Sequence, residues 1–141
     1  MVRVTRRFAA SAERVFNAWL DPASARRWLF ATETGSMVRY EIDPRVGGTF
    51  TFTDRRNGED VEHTGKYLEI DRPRRLVFTF GVPAWSSEFA VIAIDIRSTP
   101  DGGCELTLTQ EMKPEFAEYR ERTQDGWTRI LNGLAKEIGS A

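Results

Sequence analysis

Few residues of this sequence could transfer a proton or anchor a ligand. His63 is the only histidine, and because the pKa of an imidazole ordinarily lies near neutrality, it could act as a general base or as a ligand's hydrogen-bonding partner. A histidine near a hairpin and close to solvent is the simpler interpretation, which we favour. Tyr67 and Asp95 could place polar groups on the same surface. Asp95 interrupts an apolar run, although a salt bridge at a strand end would also explain it.

Motifs of metal and nucleophilic chemistry are missing from the sequence. With one cysteine, Cys104, and one histidine, a zinc site of the Cys/His type is very unlikely. Neither a Ser-His-Asp order, nor HExxH, nor a pair of catalytic carboxylates can be assembled, and Gly47-Gly48 has neither the lysine nor the following helix of a phosphate loop. We therefore predict no metal and no cofactor, and we assign no catalytic residue.

Length and charge restrict the possible partners. The 141 residues suffice for one domain, predicted to span residues 1–141, and the 20 basic and 21 acidic residues give a net charge of −1. Such a chain has no electrostatic attraction to nucleic acid or to an anionic membrane. Its N-terminus lacks the apolar core of a signal peptide and no apolar run is long enough to span a bilayer, so a soluble cytoplasmic protein is expected, as a monomer or a homodimer.

The elements that would position these residues follow from periodicity. Val2 to Phe8 predicts a strand, Ser11 is placed to cap a first helix, and Asp21-Pro22 is typical of the start of a second. From Ser36 to Glu111 the apolar residues alternate between turns such as Asn57-Gly58, which indicates an antiparallel meander. The predicted order is β-α-α-β-β-β-β-β-β-α, with six to seven strands.

A long C-terminal helix carries the clearest pattern in the chain. Its apolar stripe consists of Trp127, Leu131, Leu134 and Ile138. Gly126 and Gly133 lie on one flank of this stripe, where each glycine costs a helix roughly 1 kcal/mol relative to alanine. That cost indicates either a close backbone approach or space left beneath the helix.

Four stretches in order resemble one known family. They are Ala9-Ala10-Ser11-Ala12-Glu13-Arg14-Val15-Phe16-Asn17-Ala18-Trp19-Leu20-Asp21-Pro22 with Arg27-Trp28, Asp43-Pro44-Arg45-Val46-Gly47-Gly48, Gly65-Lys66-Tyr67-Leu68-Glu69-Ile70-Asp71-Arg72-Pro73-Arg74-Arg75-Leu76-Val77-Phe78-Thr79, and Gly126-Trp127-Thr128-Arg129-Ile130-Leu131. They are similar to the domain of homologues of the activator of the heat-shock-protein-90 ATPase, within the START-like, helix-grip (SRPBCC) superfamily. The resemblance covers nearly the whole chain and implies an α+β fold, in which a curved antiparallel sheet grips the terminal helix over an apolar cavity.

The expected cavity would be lined largely by aromatic side chains. The predicted lining residues are Phe50, Phe52, His63, Tyr67, Phe78, Phe80, Trp85, Phe89, Asp95, Arg120, Trp127 and Leu131. We expect it to bind a small hydrophobic or aromatic ligand through one or two polar anchors. A cyclase or dehydratase acting in the same cavity is one alternative, and an interaction protein for a chaperone is another.

Arg120 conflicts with the apolar stripe on which it falls. By projection it lies about 20° from Trp127, and burying an unpaired guanidinium is costly. Either the long helix begins after Arg120, or Arg120 lies at the cavity mouth, where it meets solvent, a carboxylate or an anionic ligand. Because Pro114-Glu115 resembles a helix start, we favour the mouth.

Overall fold

The chain folds into one antiparallel sheet accompanied by three α-helices and a 3-10 helix. The computed structural model describes residues 1–32 and 34–138. Along these residues the elements are β1 Val2–Phe8, α1 Ala12–Leu20, α2 Pro22–Trp28, β2 Ser36–Ile42, β3 Thr49–Arg56, β4 Glu59–Asp71, β5 Arg75–Phe80, β6 Ala90–Ser98, β7 Cys104–Gln110, the 3-10 helix Pro114–Tyr119 and α3 Arg120–Glu137. The predicted order is confirmed, with the 3-10 helix added before α3. None of these helices is both long and apolar enough to cross a membrane.

The sheet is a curved meander to which the first strand is added at one edge. Its strand order is β1-β7-β6-β5-β4-β3-β2, so every neighbour from β2 to β7 is also a neighbour in sequence. The exception is β1, which pairs with β7 in a register that places Val2 opposite Gln110 and Phe8 opposite Cys104. This is the predicted α+β helix-grip architecture.

Local sequence explains where the first elements begin and turn. The hydroxyl of Ser11 accepts a hydrogen bond from the Arg14 backbone at 3.2 Å and caps α1. Asp21 caps α2 through a 3.1 Å bond from the Ala23 backbone, with Pro22 in the first turn, where a missing N–H costs nothing. In the β3–β4 turn Asn57 and Gly58 have φ values of 51° and 81°, as the sequence predicted.

The core lies between the inner face of the sheet and the helices. Inward positions of β6 and β7 are filled by fully buried aliphatic side chains, among them Ile92, Ile94, Leu106 and Leu108. The strands β4 and β5 approach closely at Gly65, where a Cβ would lie 1.7 Å from the carbonyl oxygen of Thr79, so only glycine permits this approach.

The two helix glycines have different surroundings. A Cβ on Gly133 would lie 3.3 Å from the Cβ of Trp28, so this glycine allows α3 to approach α2 closely. A Cβ on Gly126 would have nothing within 4 Å, although the residue itself is partly buried. The close approach expected for these glycines is therefore found at Gly133, whereas Gly126 has no such contact.

Candidate functional site

Six rings from five parts of the chain meet beneath α3. This aromatic cluster consists of Phe30, Phe50, Phe52, His63, Phe80 and Trp127. The rings come from the segment after α2, from β3, β4 and β5, and from α3. Because alternate residues of a strand share one face, Phe50 and Phe52 both point inward from β3.

The aromatic cluster continues into a second group of rings. Phe50 contacts both Tyr67 and Phe78, with centroid distances of 5.6 Å in each case. Phe78 in turn lies 6.2 Å from Trp19, which makes a perpendicular contact with Trp28 at 4.8 Å. Burial raises the pKa of the Tyr67 phenol, so this hydroxyl stays protonated at neutral pH. The interior is consequently a continuous aromatic surface from α1 to α3.

Phe30 lies at the centre of the aromatic cluster in a strained backbone conformation. Its ring is parallel to those of His63 and Phe80, with centroid distances of 4.6 Å and 4.8 Å and interplanar angles of 7° and 11°. Its φ is 62°, in the left-handed region that a bulky residue rarely adopts. Such a conformation costs about 1–3 kcal/mol and persists only where the surroundings enforce it.

A buried carboxylate holds the segment around Phe30. The side chain of Asp54 is 1% exposed and accepts hydrogen bonds from Thr32 Oγ1 at 2.8 Å and Arg56 Nε at 2.7 Å. Arg56 also donates through Nη2 to the Phe30 carbonyl at 3.2 Å. A Cβ on Gly35 would lie 2.5 Å from Asp54 Oδ2, so the glycine is needed for this packing. These contacts fix the Phe30 backbone from outside the aromatic cluster.

His63 is a neutral, buried member of the aromatic cluster. It is 5% exposed, and burial lowers its pKa to about 4, although the Phe52 carbonyl, 3.2 Å from Nδ1, raises it. A neutral imidazole facing a carbonyl carries its proton on that nitrogen, so Nδ1 donates and Nε2 is left as an acceptor. The expectation of a histidine close to solvent is therefore wrong, because position 63 points inward from β4 together with Val61 and Tyr67.

Three indole N–H groups lie in the same interior. Trp127 Nε1 donates to Gln110 Oε1 at 2.7 Å. Trp19 Nε1 and Trp28 Nε1 are buried without a hydrogen-bond partner among the described residues. The perpendicular contact between these two rings can satisfy at most one of them by an N–H···π interaction. At least one of these buried donors therefore has no partner among the described residues.

The structure brings together most of the predicted cavity residues. Those that lie in or next to the aromatic cluster are Phe50, Phe52, His63, Tyr67, Phe78, Phe80 and Trp127. Leu131 is fully buried one turn after Trp127 on α3.

Four predicted cavity residues lie elsewhere, two of them in the connection between β5 and β6. Trp85 is 69% exposed there and cannot line the interior. Phe89 is 45% exposed, and its ring packs on Gly81, where a Cβ would approach within 3.0 Å. Both positions follow the end of β5, so the inward alternation of Phe78 and Phe80 does not continue to them.

Asp95 and Arg120 also lie outside the interior. Asp95 is on the outer face of β6, opposite in direction to Ile94 and Ile96, and forms an ion pair with Arg75 at 2.6 Å. The salt-bridge interpretation of Asp95 is the correct one. Arg120 is exposed at the first residue of α3 and forms no ion pair with any described residue. The cavity-mouth assignment of Arg120 is not supported, because the chain before it is a 3-10 helix and α3 only begins there.

Several site residues were not singled out from the sequence. The inward position of Asp54 could have been predicted, because Asp54 is separated from Phe50 and Phe52 by an even number of residues on the same strand and so points to the same face. The positions of Phe30, Trp19 and Trp28 could not be predicted in this way, because they depend on how α1, α2 and the following segment pack on the sheet. Within the residues that the structure covers, no group of three or more His, Cys, Asp or Glu side chains is arranged to hold a metal ion.

Comparison with solved structures identifies the same fold in proteins from several bacteria. A protein of unknown function from Staphylococcus aureus superposes with a TM-score of 0.83 at 20% identity, over 98% of this chain and 92% of that one. A protein from Chromobacterium violaceum gives 0.80 at 26% identity, over 96% and 94% of the two chains. An AHSA1-like protein from Aeromonas hydrophila gives 0.80 at 21% identity, over 98% and 92%. Among curated proteins, none is similar in sequence to this chain.

A family model matches residues 9–139, which is nearly the whole sequence, and its description is "Activator of Hsp90 ATPase homolog 1-like protein". The match includes the capped start of α1, the Asp43–Gly48 turn, Gly65 and the whole of α3. The chain therefore belongs to the family of activator of Hsp90 ATPase homolog 1-like proteins.

Proposed function

We propose that this protein binds a small hydrophobic ligand, with at least one aromatic ring and one hydrogen-bond acceptor, between its sheet and α3. The observation that carries the proposal is the pair of buried indole N–H groups of Trp19 and Trp28, which have no hydrogen-bond partner among the described residues. An unmade buried hydrogen bond costs about 1–3 kcal/mol, and native proteins leave few of them. A bound acceptor would remove this cost.

The surroundings of the two indoles define the rest of the ligand. The rings next to them, Phe78, Phe50 and Tyr67, give an apolar and aromatic surface. Ligand sites are typically of this kind, with a small number of polar groups that fix the ligand's orientation. A charged ligand would be desolvated without compensation, because the rings around the two indoles, Phe78, Phe50 and Tyr67, carry no charge.

A matched pair of naphthalenes tests the proposal. Titration of tryptophan fluorescence should show saturable quenching by 2-acetylnaphthalene, and the affinity should exceed that for 2-ethylnaphthalene, which lacks the carbonyl acceptor. The Trp19→Phe and Trp28→Phe variants keep an aromatic ring but lose the donor, so one of them should lose the preference for the ketone. Trp85→Phe, at an exposed site, should keep it. Absence of saturable binding by either compound to the folded protein would refute the proposal.

Acid–base catalysis in the same interior is a second candidate, favoured by the position of His63 within the aromatic cluster. A pKa of about 4 makes this imidazole a weak base at neutral pH, since a general base works best with a pKa near the working pH. The neutral His63 imidazole is therefore better suited to accept a hydrogen bond than to abstract a proton. If a substrate is identified, turnover that is unchanged in His63→Phe would exclude His63 as the base.

An interaction with a chaperone is the function that the family description suggests. The exposed Trp85 and Phe89, between β5 and β6, are the described residues that best fit a protein contact outside the interior. A titration of purified Hsp90 with this protein, and with Trp85→Ser as the matched variant, tests that function separately from ligand binding.

A further inference from the structure

We propose that two copies of this chain associate through the free edge of β2, in antiparallel register, with Arg39 of each copy opposite Glu41 of the other. The sheet of one copy then continues into the sheet of the second about a two-fold axis at Tyr40. Ligand binding plays no part in this association, which uses a different region of the molecule from the aromatic cluster.

The backbone of β2 has one unpaired edge. In the described sheet β2 is the last strand and pairs with β3. Just after β2, the Asp43 N–H donates to the Thr49 carbonyl at 2.9 Å. Backbone groups alternate in direction along an antiparallel strand, so those of Glu41 and Arg39 also face β3, whereas the N–H and C=O of Tyr40 point away from it. No described backbone bond reaches these Tyr40 groups from outside the sheet, so they are free to pair with another strand.

Apolar side chains at this edge are poorly covered. Val38 and Tyr40 are 44% and 40% exposed, although Tyr40 is opposite the buried Phe52 and lies on the same inner face. The Arg26 guanidinium lies 5.1 Å from the centroid of the Tyr40 ring and fixes its orientation. Pairing about Tyr40 brings the two tyrosine rings together and removes apolar surface from water.

The charges of β2 select one register. With the two-fold axis at Tyr40, Arg39 is opposite the second copy's Glu41, and the same pair forms again on the other side of the axis. Residues of unlike charge that lie directly opposite each other stabilise an antiparallel pair, and like charges destabilise it. An axis at Arg39 or at Glu41 would place that residue opposite itself. The register centred on Tyr40 is therefore the complementary one of the three.

Arg39 and Glu41 are able to exchange partners. Within one copy they bind each other, with 3.0 Å from Nε to Oε1 and 3.2 Å from Nη2 to Oε2. Their side chains are 54% and 63% exposed, and an ion pair this exposed contributes little to stability because solvent screens it. Replacing it by two pairs between copies therefore costs little.

The opposite edge of the sheet lacks this complementarity. It is formed by β1, which carries Arg3, Arg6 and Arg7 and no acidic residue. Two such strands repel each other, and charged side chains on an edge strand are a common protection against pairing. Self-association is therefore directed to β2.

Charge reversal distinguishes this interface from any other. Sedimentation velocity of the full chain, from about 1 µM to 1 mM, should show a reversible dimer. Arg39→Glu and Glu41→Arg should each weaken the dimer at least about tenfold, because both pairs between the copies become repulsive. An equimolar mixture of the two variants should dimerise again, since one is acidic and the other basic at both positions. Asp60→Arg, which breaks the exposed Arg55–Asp60 pair, is the matched control and should leave the dimer unchanged.

A monomer at every concentration overturns the proposal, as does a dimer that both single variants retain or that their mixture fails to restore. Hydrogen exchange resolved by residue locates the contact without any substitution. The Tyr40 amide should exchange rapidly in the dilute monomer and become protected in the dimer, whereas the Glu41 amide, which faces β3, is protected in both. A Tyr40 amide that stays unprotected in the dimer equally overturns the proposal.

Failure of the β2 contact is distinguishable from failure of the proposed function. Arg39→Glu lies outside the aromatic cluster and should not change the naphthalene titration. A dimer that binds neither naphthalene refutes the proposed function alone, and a monomer that binds them refutes the β2 contact alone.

Discussion

Trp127 Nε1 and Gln110 Oε1 lie 2.7 Å apart, joined by a buried hydrogen bond that ties α3 to the last residue of β7. It is a side-chain bond between the helix and the sheet. Because Trp127 also lies 5.8 Å from Phe80, the bond fixes the angle at which the indole meets the aromatic cluster. The position of one wall of the site thus depends on a glutamine outside the cluster.

Trp127→Phe should lower the free energy of unfolding by roughly 2 kcal/mol, since it leaves the buried Gln110 oxygen without a donor. Chemical denaturation monitored by circular dichroism measures the loss. Gln110→Met in the same background removes the unpaired oxygen, so the double variant should be more stable than the sum of the two single changes predicts. Additive losses would show that the hydrogen bond contributes little.

His63 should make stability depend on pH in the acid range. Its pKa in the folded protein is about 4, against 6.5 for an unperturbed histidine, because burial disfavours the charged ring. The nearby Arg56 lowers the pKa further, and Asp54 acts in the opposite direction. Between these values the unfolded chain binds the proton and the folded chain does not, so stability is complete above pH 6.5 and is lost as the pH falls towards 4. The full loss is roughly 3 kcal/mol.

Urea denaturation at several pH values checks this dependence, with His63→Phe as the control that keeps a ring in the aromatic cluster. The control should be flatter than the unmodified protein between pH 4 and 6.5. Parallel curves for the two proteins would contradict a buried, neutral His63.

Asp54→Ala should destabilise the protein by about 3 kcal/mol, because it leaves Arg56 and Thr32 without their buried partner. The chain contains a matched control in the same hairpin, the Arg55–Asp60 pair, which has a similar separation of 2.8 Å but about half-exposed side chains. Asp60→Ala should leave the melting temperature within experimental error, since solvent screens exposed pairs. Equal effects of the two changes would show that Asp54 is not held in a buried network.

Gly126→Ala should stabilise the protein by about 0.5–1 kcal/mol, because alanine is the better helix former and a Cβ there meets nothing within 4 Å. Gly133→Ala should gain less or lose, because its Cβ would lie 3.3 Å from the Cβ of Trp28. Thermal melts of the two variants measure the difference. An equal gain at both positions would contradict the close approach of α2 and α3.

The sequence predicted the fold better than the site, for a physical reason. Strand alternation and capping act over a few residues, so Ser11, Asp21 and the Asn57-Gly58 turn could be placed from local rules alone. The same alternation assigns inward positions within a strand, which is why Phe50 and Phe52 were predicted to share a face.

Alternation fails where a strand stops or where only packing decides. Trp85 and Phe89 lie beyond the end of β5, so their exposure could not be read from Phe78 and Phe80. His63 lies near a hairpin in the sequence, which suggests exposure. It is nevertheless buried, because it is four residues from Tyr67 on β4 and so points to the same inner face. Phe30 could not be found at all, because its place depends on Asp54 and Arg56, which are distant in sequence.

The pairing of β1 with β7 affects the order in which the protein can assemble during its synthesis. Val2 is translated before its partner Gln110, which follows roughly 100 residues later; at about 5–20 residues per second this is a delay of several seconds or more. Throughout that time β1 has no partner strand, and the side chains of Val2, Val4 and Phe8, which are buried in the folded protein, stay exposed. The strand β1, which precedes every other described element, is therefore the last strand to be paired, and the nascent chain exposes its apolar side chains until β7 is complete.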